Sequence, residues 1–237
     1  MTTLVIGSSG IARSIARRLL DDGRSVAAID DGSVLDDPTT ATAALRSAVG
    51  DAQVELVVFA ELDVASTGAP ITSLSEQQWD EACERPLRRA VVALQTIHAL
   101  VDDGTAVVLV LPNVGSVGVA GLVPLCSAAE GIRVLAKSAA RRWGARAITV
   151  NTIEVELAAF MLGDSAAVDD TAPSVPVSEV PVPEVPVPEV PVLGAPALVP
   201  SPILDDVLGL VDLFASPAGR AVTGAFLMAD RGTVMLP

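Results

Sequence analysis

The sequence is poor in side chains on which many enzymes depend, since its 237 residues include no tyrosine, one histidine and two cysteines. Its single lysine is Lys137. Cys83 and Cys126 lie far apart in the chain, so the sequence predicts neither a disulfide framework nor a metal cluster. Chemistry that needs a tyrosine hydroxyl is excluded.

Positive charge is scarce as well, with 15 Lys and Arg against 29 Asp and Glu and a formal net charge of −14. Such a surface repels phosphate backbones and anionic bilayers, so we expect neither a nucleic-acid partner nor a membrane-surface role. Apolar runs stay short of the roughly 20 residues that a membrane span requires. Because residues 1–7 lead directly into a predicted strand, we expect no leader peptide and a cytoplasmic location.

Hydrophobic residues make up 51% of the chain and fall in alternating strand and helix patterns. Continuous apolar strands between amphipathic helices indicate a parallel sheet covered on both faces. The predicted strands are 3–6, 25–29, 54–60, 106–111, 147–153 and 225–229. The predicted helices are 11–22, 41–49, 75–101 with a kink at Pro86, 126–143 and 204–215. The sequence therefore predicts one α/β domain over residues 1–237, a Rossmann-type doubly wound parallel sheet in a three-layer α/β/α arrangement.

Residues 172–202 differ from the rest of the chain, because they repeat EVPVP at Glu179 and Glu184 and, shortened, at Glu189. Alternate prolines exclude helix and central strand, so a proline-rich, extended insert is predicted. A surface loop without a partner and a docking segment for a partner groove both fit this pattern.

Three segments, in order along the chain, resemble the short-chain dehydrogenase/reductase (SDR) family. They are the helix sequence GIARSIARRL from Gly10, the stretch from Ala136 to Ile153, and the closing segment from Ser216 to Gly232. The similarity covers nearly the whole chain. It implies the doubly wound fold and the nicotinamide-binding cleft of that family.

The family's cofactor loop, TGxxxGxG, is matched only in part. One alignment puts Ile6 at a turn glycine, and the other keeps Gly7 and Gly10 but shortens the loop. Those glycines let backbone amides approach a pyrophosphate, and Glu61 replaces a small residue beside it. We therefore expect no cofactor. The alternative is a weak NAD site at Gly7, Gly10 and Asp30, where Asp30 would bind the ribose instead of being a solvated loop acid.

The family's proton-transfer residues, a Ser and a Tyr-x-x-x-Lys pair, are replaced here by Asn113, Cys126 and Glu130. A carboxylate at position 130 would raise the pKa of a nearby thiol. Cys126 is therefore interpreted as a buried residue near a helix start instead of a nucleophile. The resemblance implies that the family's own reductase mechanism is absent.

The two long predicted helices correspond to those that the family uses to assemble its subunits. Both carry apolar positions at helical spacing: Ala90, Val91, Leu94 and Ile97 on one, and Ile132, Leu135, Ala136 and Ala139 on the other. The sequence thus predicts a pseudoenzyme, a non-catalytic subunit that assembles with a catalytically active SDR partner as a dimer or tetramer.

Two further hypotheses remain open at this stage. One is an enzyme with repurposed non-redox chemistry, a cyclase, isomerase or dehydratase, using Asn113, Ser116, Cys126 and Glu130 in the old crevice. Ser127 would line the same polar site, although serine and asparagine are also ordinary loop residues. The other is an NAD-binding regulatory protein that uses Asp30.

Overall fold

The computed structural model describes residues 2–63, 69–163 and 203–233. Six parallel strands in these ranges form one sheet in the order β2-β1-β3-β4-β5-β6. The strands are β1 (Thr2–Ile6), β2 (Val26–Ile29), β3 (Val54–Phe59), β4 (Ala106–Pro112), β5 (Thr149–Val155) and β6 (Phe226–Met228). The doubly wound parallel sheet predicted from the sequence is confirmed.

Helices connect the strands and cover the sheet. They are α1 (Gly10–Asp21), α2 (Pro38–Val49), α3 (Glu76–Trp79), α4 (Arg85–Leu100), α5 (Val114–Val117), α6 (Val123–Trp143), α7 (Leu157–Leu162) and α8 (Ile203–Ala215). Short 3-10 turns lie at Gly32–Asp36, Ile71–Ser73, Gly144–Arg146 and Pro217–Ala221. In one layer α2 and α6 both pack against α4. In the other layer α1 packs against α8.

The core lies along the central strands. Every residue of β1, β4 and β5 is buried, as expected for parallel strands with helices on both faces. Polar side chains at those buried positions are therefore exceptions, and Glu154 near the end of β5 is the charged one among them.

The predicted long helix over 75–101 is interrupted before Pro86. α3 passes into one wide π-helical turn at Asp80–Glu84, and α4 continues from Arg85. Proline has no backbone N–H, and its ring collides with a regular preceding turn, so the wider turn relieves both problems. In α6 the corresponding Pro124 lies in the first turn, where no N–H is needed, and the helix begins three residues earlier than predicted.

Most of the apolar helix positions predicted to contact a partner lie inside the chain's own core. The buried residues are Ala90, Leu94, Ile97, Ile132, Ala136 and Ala139, whereas Val91 is 37% exposed and Leu135 is partly buried. Packing within one chain therefore explains most of this pattern, and assembly with an SDR partner stays a prediction. The predicted insert at 172–202 lies outside the described residues. Within the described ranges, no helix combines the length and apolarity of a membrane span.

Candidate active site

Glu154 places a buried carboxyl group at the carboxyl edge of the sheet. It stands next to last in β5, opposite Leu111 of β4, and is 1% exposed. Its Oε2 accepts a hydrogen bond of 2.8 Å from the hydroxyl of Ser116 on α5. This edge is where doubly wound sheets bind their ligands.

The surroundings of Glu154 raise the pKa of its carboxyl group to about 7. Burial is the main cause, because it disfavours the charged form, and the charges of Glu130 and Asp230 act in the same direction. The Ser116 hydrogen bond and the positive charge of Arg133 oppose them. A carboxyl group with this pKa can both hold and release a proton near neutral pH, as a general acid or base must.

Arg133 on α6 is the cation that faces this carboxyl group. Its Nε lies 3.9 Å from Oε1 of Glu154 and donates to both oxygens of Glu130, at 3.1 and 3.0 Å. The guanidinium also lies over the ring of Phe226, 5.0 Å from its centroid. Glu130 therefore forms an ion pair on its own helix, and Arg133 is shared between two carboxylates.

Asn113 ends β4 beside the same crevice. Its backbone N–H donates to the carbonyl of Val155 at 2.8 Å, which joins the ends of β4 and β5. The side chain is buried, and its Nδ2 has no hydrogen-bond partner among the described residues. Buried donors are nearly always paired in folded proteins, so the unpaired amide of Asn113 is an exception at this edge of the sheet.

Cys126 does not have the surroundings of a nucleophile. Burial raises the pKa of its thiol, with a smaller contribution in the same direction from Glu130, and its Sγ lies 3.9 Å from the carbonyl of Val119. Ser127 donates to Val123 within α6 at 2.8 Å, so its hydroxyl is engaged inside the helix. His98 packs on Trp143 with ring centroids 5.0 Å apart.

The turn after β1 uses Gly7 and Gly10, which supports the alignment that keeps both glycines. Gly7 has φ +153°, and a Cβ there would lie 2.3 Å from the carbonyl oxygen of Ala60. Ser9 caps α1 by accepting from the Ala12 N–H at 3.2 Å, and its hydroxyl donates to Ala60 at 2.6 Å. Asp30 is exposed just after β2, at the same edge of the sheet.

The turn before α1, where a pyrophosphate would bind, is occupied by the Glu61 side chain and covered by α7. Oε2 of Glu61 accepts hydrogen bonds from the N–H of Ser8 at 2.7 Å and from its hydroxyl at 2.8 Å. α7 packs on α1 so closely that a Cβ on Gly10 would lie 2.1 Å from the carbonyl oxygen of Met161. This arrangement does not fit a dinucleotide, whose pyrophosphate would need the same amides.

A cavity of about 300 Å³ lies away from this edge, near the start of β3. Charged residues line it, and the pair Arg24–Asp212 is bonded at 2.6 Å. The cavity therefore does not share the residues of the Glu154 crevice.

The fold and the site define an α/β protein with a buried carboxyl group at the carboxyl edge of its parallel sheet. The chain is 31% identical over 177 residues to the 3-oxoacyl-[acyl-carrier-protein] reductase FabG of Staphylococcus aureus, covering 64% of this chain and 72% of the relative. It belongs to the short-chain dehydrogenase/reductase family. No protein-family model matches it.

Solved structures share the fold. A dehydrogenase/reductase from Sinorhizobium meliloti has a TM-score of 0.72 at 23% identity, with 98% of this chain and 94% of that chain covered. A blue fluorescent protein from a metagenomic library, solved with NADPH, has a TM-score of 0.71 at 22% identity over 99% and 98% of the two chains.

These comparisons contradict two predictions made from the sequence. The prediction of a non-catalytic subunit is wrong, because the curated relatives are reductases. The expectation that no cofactor binds is also wrong, because the fold is shared by proteins solved with NADPH and with NADP. Both predictions rested on the lost motif positions, and the first also on the apolar positions of the two long helices.

Sequence reasoning missed Glu154 and Arg133. The predicted strand ended at Ile153, one residue before Glu154. A signal was present, since Glu154 is an ionisable residue directly continuing a buried apolar strand, and such residues mark functional sites. Arg133 follows Glu130 by three positions, the spacing that brings two side chains together on a helix.

Proposed function

We propose that this chain is an oxidoreductase of the SDR family in which Glu154 replaces the missing tyrosine as the source of the proton that Ser116 passes to a substrate carbonyl oxygen. The observation that carries the proposal is the buried carboxyl of Glu154, with a pKa of about 7 and a 2.8 Å hydrogen bond to Ser116. In the reverse direction the same carboxylate takes up the proton of a substrate hydroxyl through Ser116.

Ser116 provides the route between Glu154 and the crevice. Glu154 is 1% exposed, whereas Ser116 is partly exposed at the end of the sheet. In the proton step the Ser116 hydroxyl gives its proton to the substrate oxygen, and the protonated Glu154 restores it. Arg133, 3.9 Å away, then stabilises the carboxylate that is left behind.

Asn113 has the donor that would hold the reacting oxygen. Its Nδ2 is buried and unpaired within the described part of the chain, and it precedes Ser116 by three residues at the end of β4. An amide donor aligned with a developing negative charge stabilises the transition state. Only the proton step is assigned to residues of this chain, because Glu61 and α7 close the pyrophosphate cradle in the structure.

The test is the oxidation of NADPH, followed by absorbance, with acetoacetyl-coenzyme A as a soluble 3-oxoacyl thioester. We expect a rate that falls as the pH rises above about 7, since the protonated acid is then depleted. Glu154→Gln should lower kcat by about 10²- to 10⁴-fold and remove this pH dependence. Ser116→Ala should lower kcat while leaving the KM for NADPH unchanged.

Glu55→Gln is the matched control, because Glu55 is an exposed carboxyl on β3 of the same sheet. It should retain the wild-type rate and pH profile. Equal rates and pH profiles for wild type and Glu154→Gln would contradict the proposal. Conversion of the thioester without NADPH oxidation would also contradict it and would point to non-redox chemistry.

A further inference from the structure

Glu61 is a second buried carboxylate, and the proton step does not use it. It follows β3 by two residues and its side chain is 1% exposed. Both donors of Ser8, the N–H and the hydroxyl, bond to its Oε2, while its Oε1 lies 3.2 Å from a guanidinium nitrogen of Arg89. A negatively charged group thus sits directly before the start of α1.

The space before the first turn of α1 favours a negatively charged group. The free N–H groups and the dipole at the start of a helix favour negative charge, and α1 has 12 residues. Dinucleotides in doubly wound folds place their pyrophosphate at the corresponding helix. In this chain the Glu61 carboxylate lies close to that position, bonded to Ser8 two residues before α1.

Glu61 is held from the other side as well. Arg89 is bonded to Asp36 through two nitrogens, at 2.7 and 3.1 Å, and this pair anchors the cation beside Glu61. Gly32 packs against the same carboxylate, since a Cβ there would lie 2.0 Å from Oε1. The Glu61 side chain is therefore held by close contacts on both sides.

We infer that Glu61 is an internal competitor for the pyrophosphate of a nicotinamide dinucleotide, so that the cofactor binds only when Glu61 leaves Ser8. Its departure frees the two donors of Ser8, in the turn that leads into α1, and leaves Arg89 as a cation near the incoming phosphates. α7 must also move when the cofactor binds, because its C-terminal end packs on α1. The contact is so close that a Cβ on Gly163 would lie 2.2 Å from the Ser14 hydroxyl.

The test compares the dissociation constants of NADPH for wild type and Glu61→Ala by isothermal titration calorimetry of the full chain. Glu61→Ala removes the competing carboxylate, so we expect NADPH to bind at least tenfold more tightly. Glu55→Ala changes the net charge equally at an exposed site and should bind NADPH as wild type does. Thermal unfolding of each variant checks that it is folded.

Equal NADPH affinities for wild type and Glu61→Ala would overturn the inference, as would the absence of binding to both at millimolar NADPH. If Glu61→Ala does not fold, Glu61→Gln keeps the shape of the side chain and should bind NADPH more tightly than wild type, by at least threefold. No gain in Glu61→Gln would then overturn it. If Gly163→Ala binds NADPH more tightly than wild type and the Glu61 variants do not, α7 and not Glu61 blocks the pyrophosphate position. That result would overturn the role of Glu61.

A second readout is amide hydrogen exchange at Ser8. Saturating NADPH should displace Glu61 and change the protection of this amide in wild type, with no change at Glu55. An unchanged Ser8 amide in the NADPH complex would overturn the inference. None of these measurements depends on Glu154, so failure here leaves the proposed proton donor to be judged by its own assay.

Discussion

The hydroxyl of Ser116 donates a 2.8 Å hydrogen bond to the carboxyl group of Glu154, which joins the helix after β4 to the end of β5. The bond connects a buried acid to the more exposed side of the crevice. The proposed function uses this bond for proton transfer in a chain where the residues at the positions of the family's Ser, Tyr and Lys are Asn113, Cys126 and Glu130.

The raised pKa of Glu154 makes the stability of the protein depend on pH. Because the folded pKa of about 7 lies above the ordinary value of 4.5, the unfolded chain releases this proton first as the pH rises. The contribution to stability is complete below about pH 4.5 and is lost as the pH rises through 7. At about 1.4 kcal/mol for each tenfold change in proton affinity, the loss is about 3 kcal/mol.

Glu154→Gln cannot titrate and should lack this loss. Urea unfolding of wild type and variant at pH 4.5, 6 and 8 measures it, because the difference between their free energies of unfolding cancels all other groups. We expect that difference to change by about 3 kcal/mol in favour of the variant as the pH rises. A difference that is constant with pH would show that Glu154 titrates normally.

Gly10 should be far more sensitive to alanine than another helical glycine. In Gly10→Ala the new Cβ would meet the backbone of Met161 at 2.1 Å, and backbone cannot move aside as a side chain can. We expect a loss of roughly 1–3 kcal/mol in the free energy of unfolding. Gly209→Ala in α8, where nothing lies within 4 Å, should gain about 0.5–1 kcal/mol.

Chemical denaturation of both alanine variants provides the comparison. Equal effects of Gly10→Ala and Gly209→Ala would mean that α7 does not rest on α1 in solution.

The two cysteines should react slowly with alkylating reagents. Burial raises the pKa of both thiols, and a neighbouring acid adds to the effect in each case, Glu84 for Cys83 and Glu130 for Cys126. At pH 8 we expect iodoacetamide to label the folded protein more than tenfold more slowly than glutathione. Mass spectrometry of the labelled protein gives both rates, and rapid labelling of Cys126 would restore it as a candidate nucleophile.

The fold could be predicted from the sequence because its signals are local. Apolar strands such as β4 and amphipathic helices such as α1 are visible in short windows, and the parallel sheet follows from their alternation. Short elements without a strong period, α5 and α7 among them, were not predicted. The irregular turn before Pro86 was foreseen as a kink, because proline's effect on a helix is also local.

The site could be predicted only in outline. Asn113 and Ser116 were predicted to line a polar site after β4, and the structure places both just beyond the end of that strand. The partners of Glu154 come from α5, α6 and the end of the sheet, so its pKa depends on long-range burial that no motif contains. Glu61 was recognised as a misfit beside the cofactor loop, but its bonds to Ser8 required the packed structure.

The central claim is that the carboxyl group of Glu154 titrates near pH 7 in the folded protein, so that about half of the molecules hold its proton at neutral pH. Infrared difference spectra of wild type minus Glu154→Gln, recorded from pH 4 to 9, isolate the carbonyl stretch of this one protonated group. We predict that the band disappears with a midpoint near pH 7. A midpoint near the ordinary value of 4.5 would contradict the account, because Glu154 would then be ionised and unable to donate.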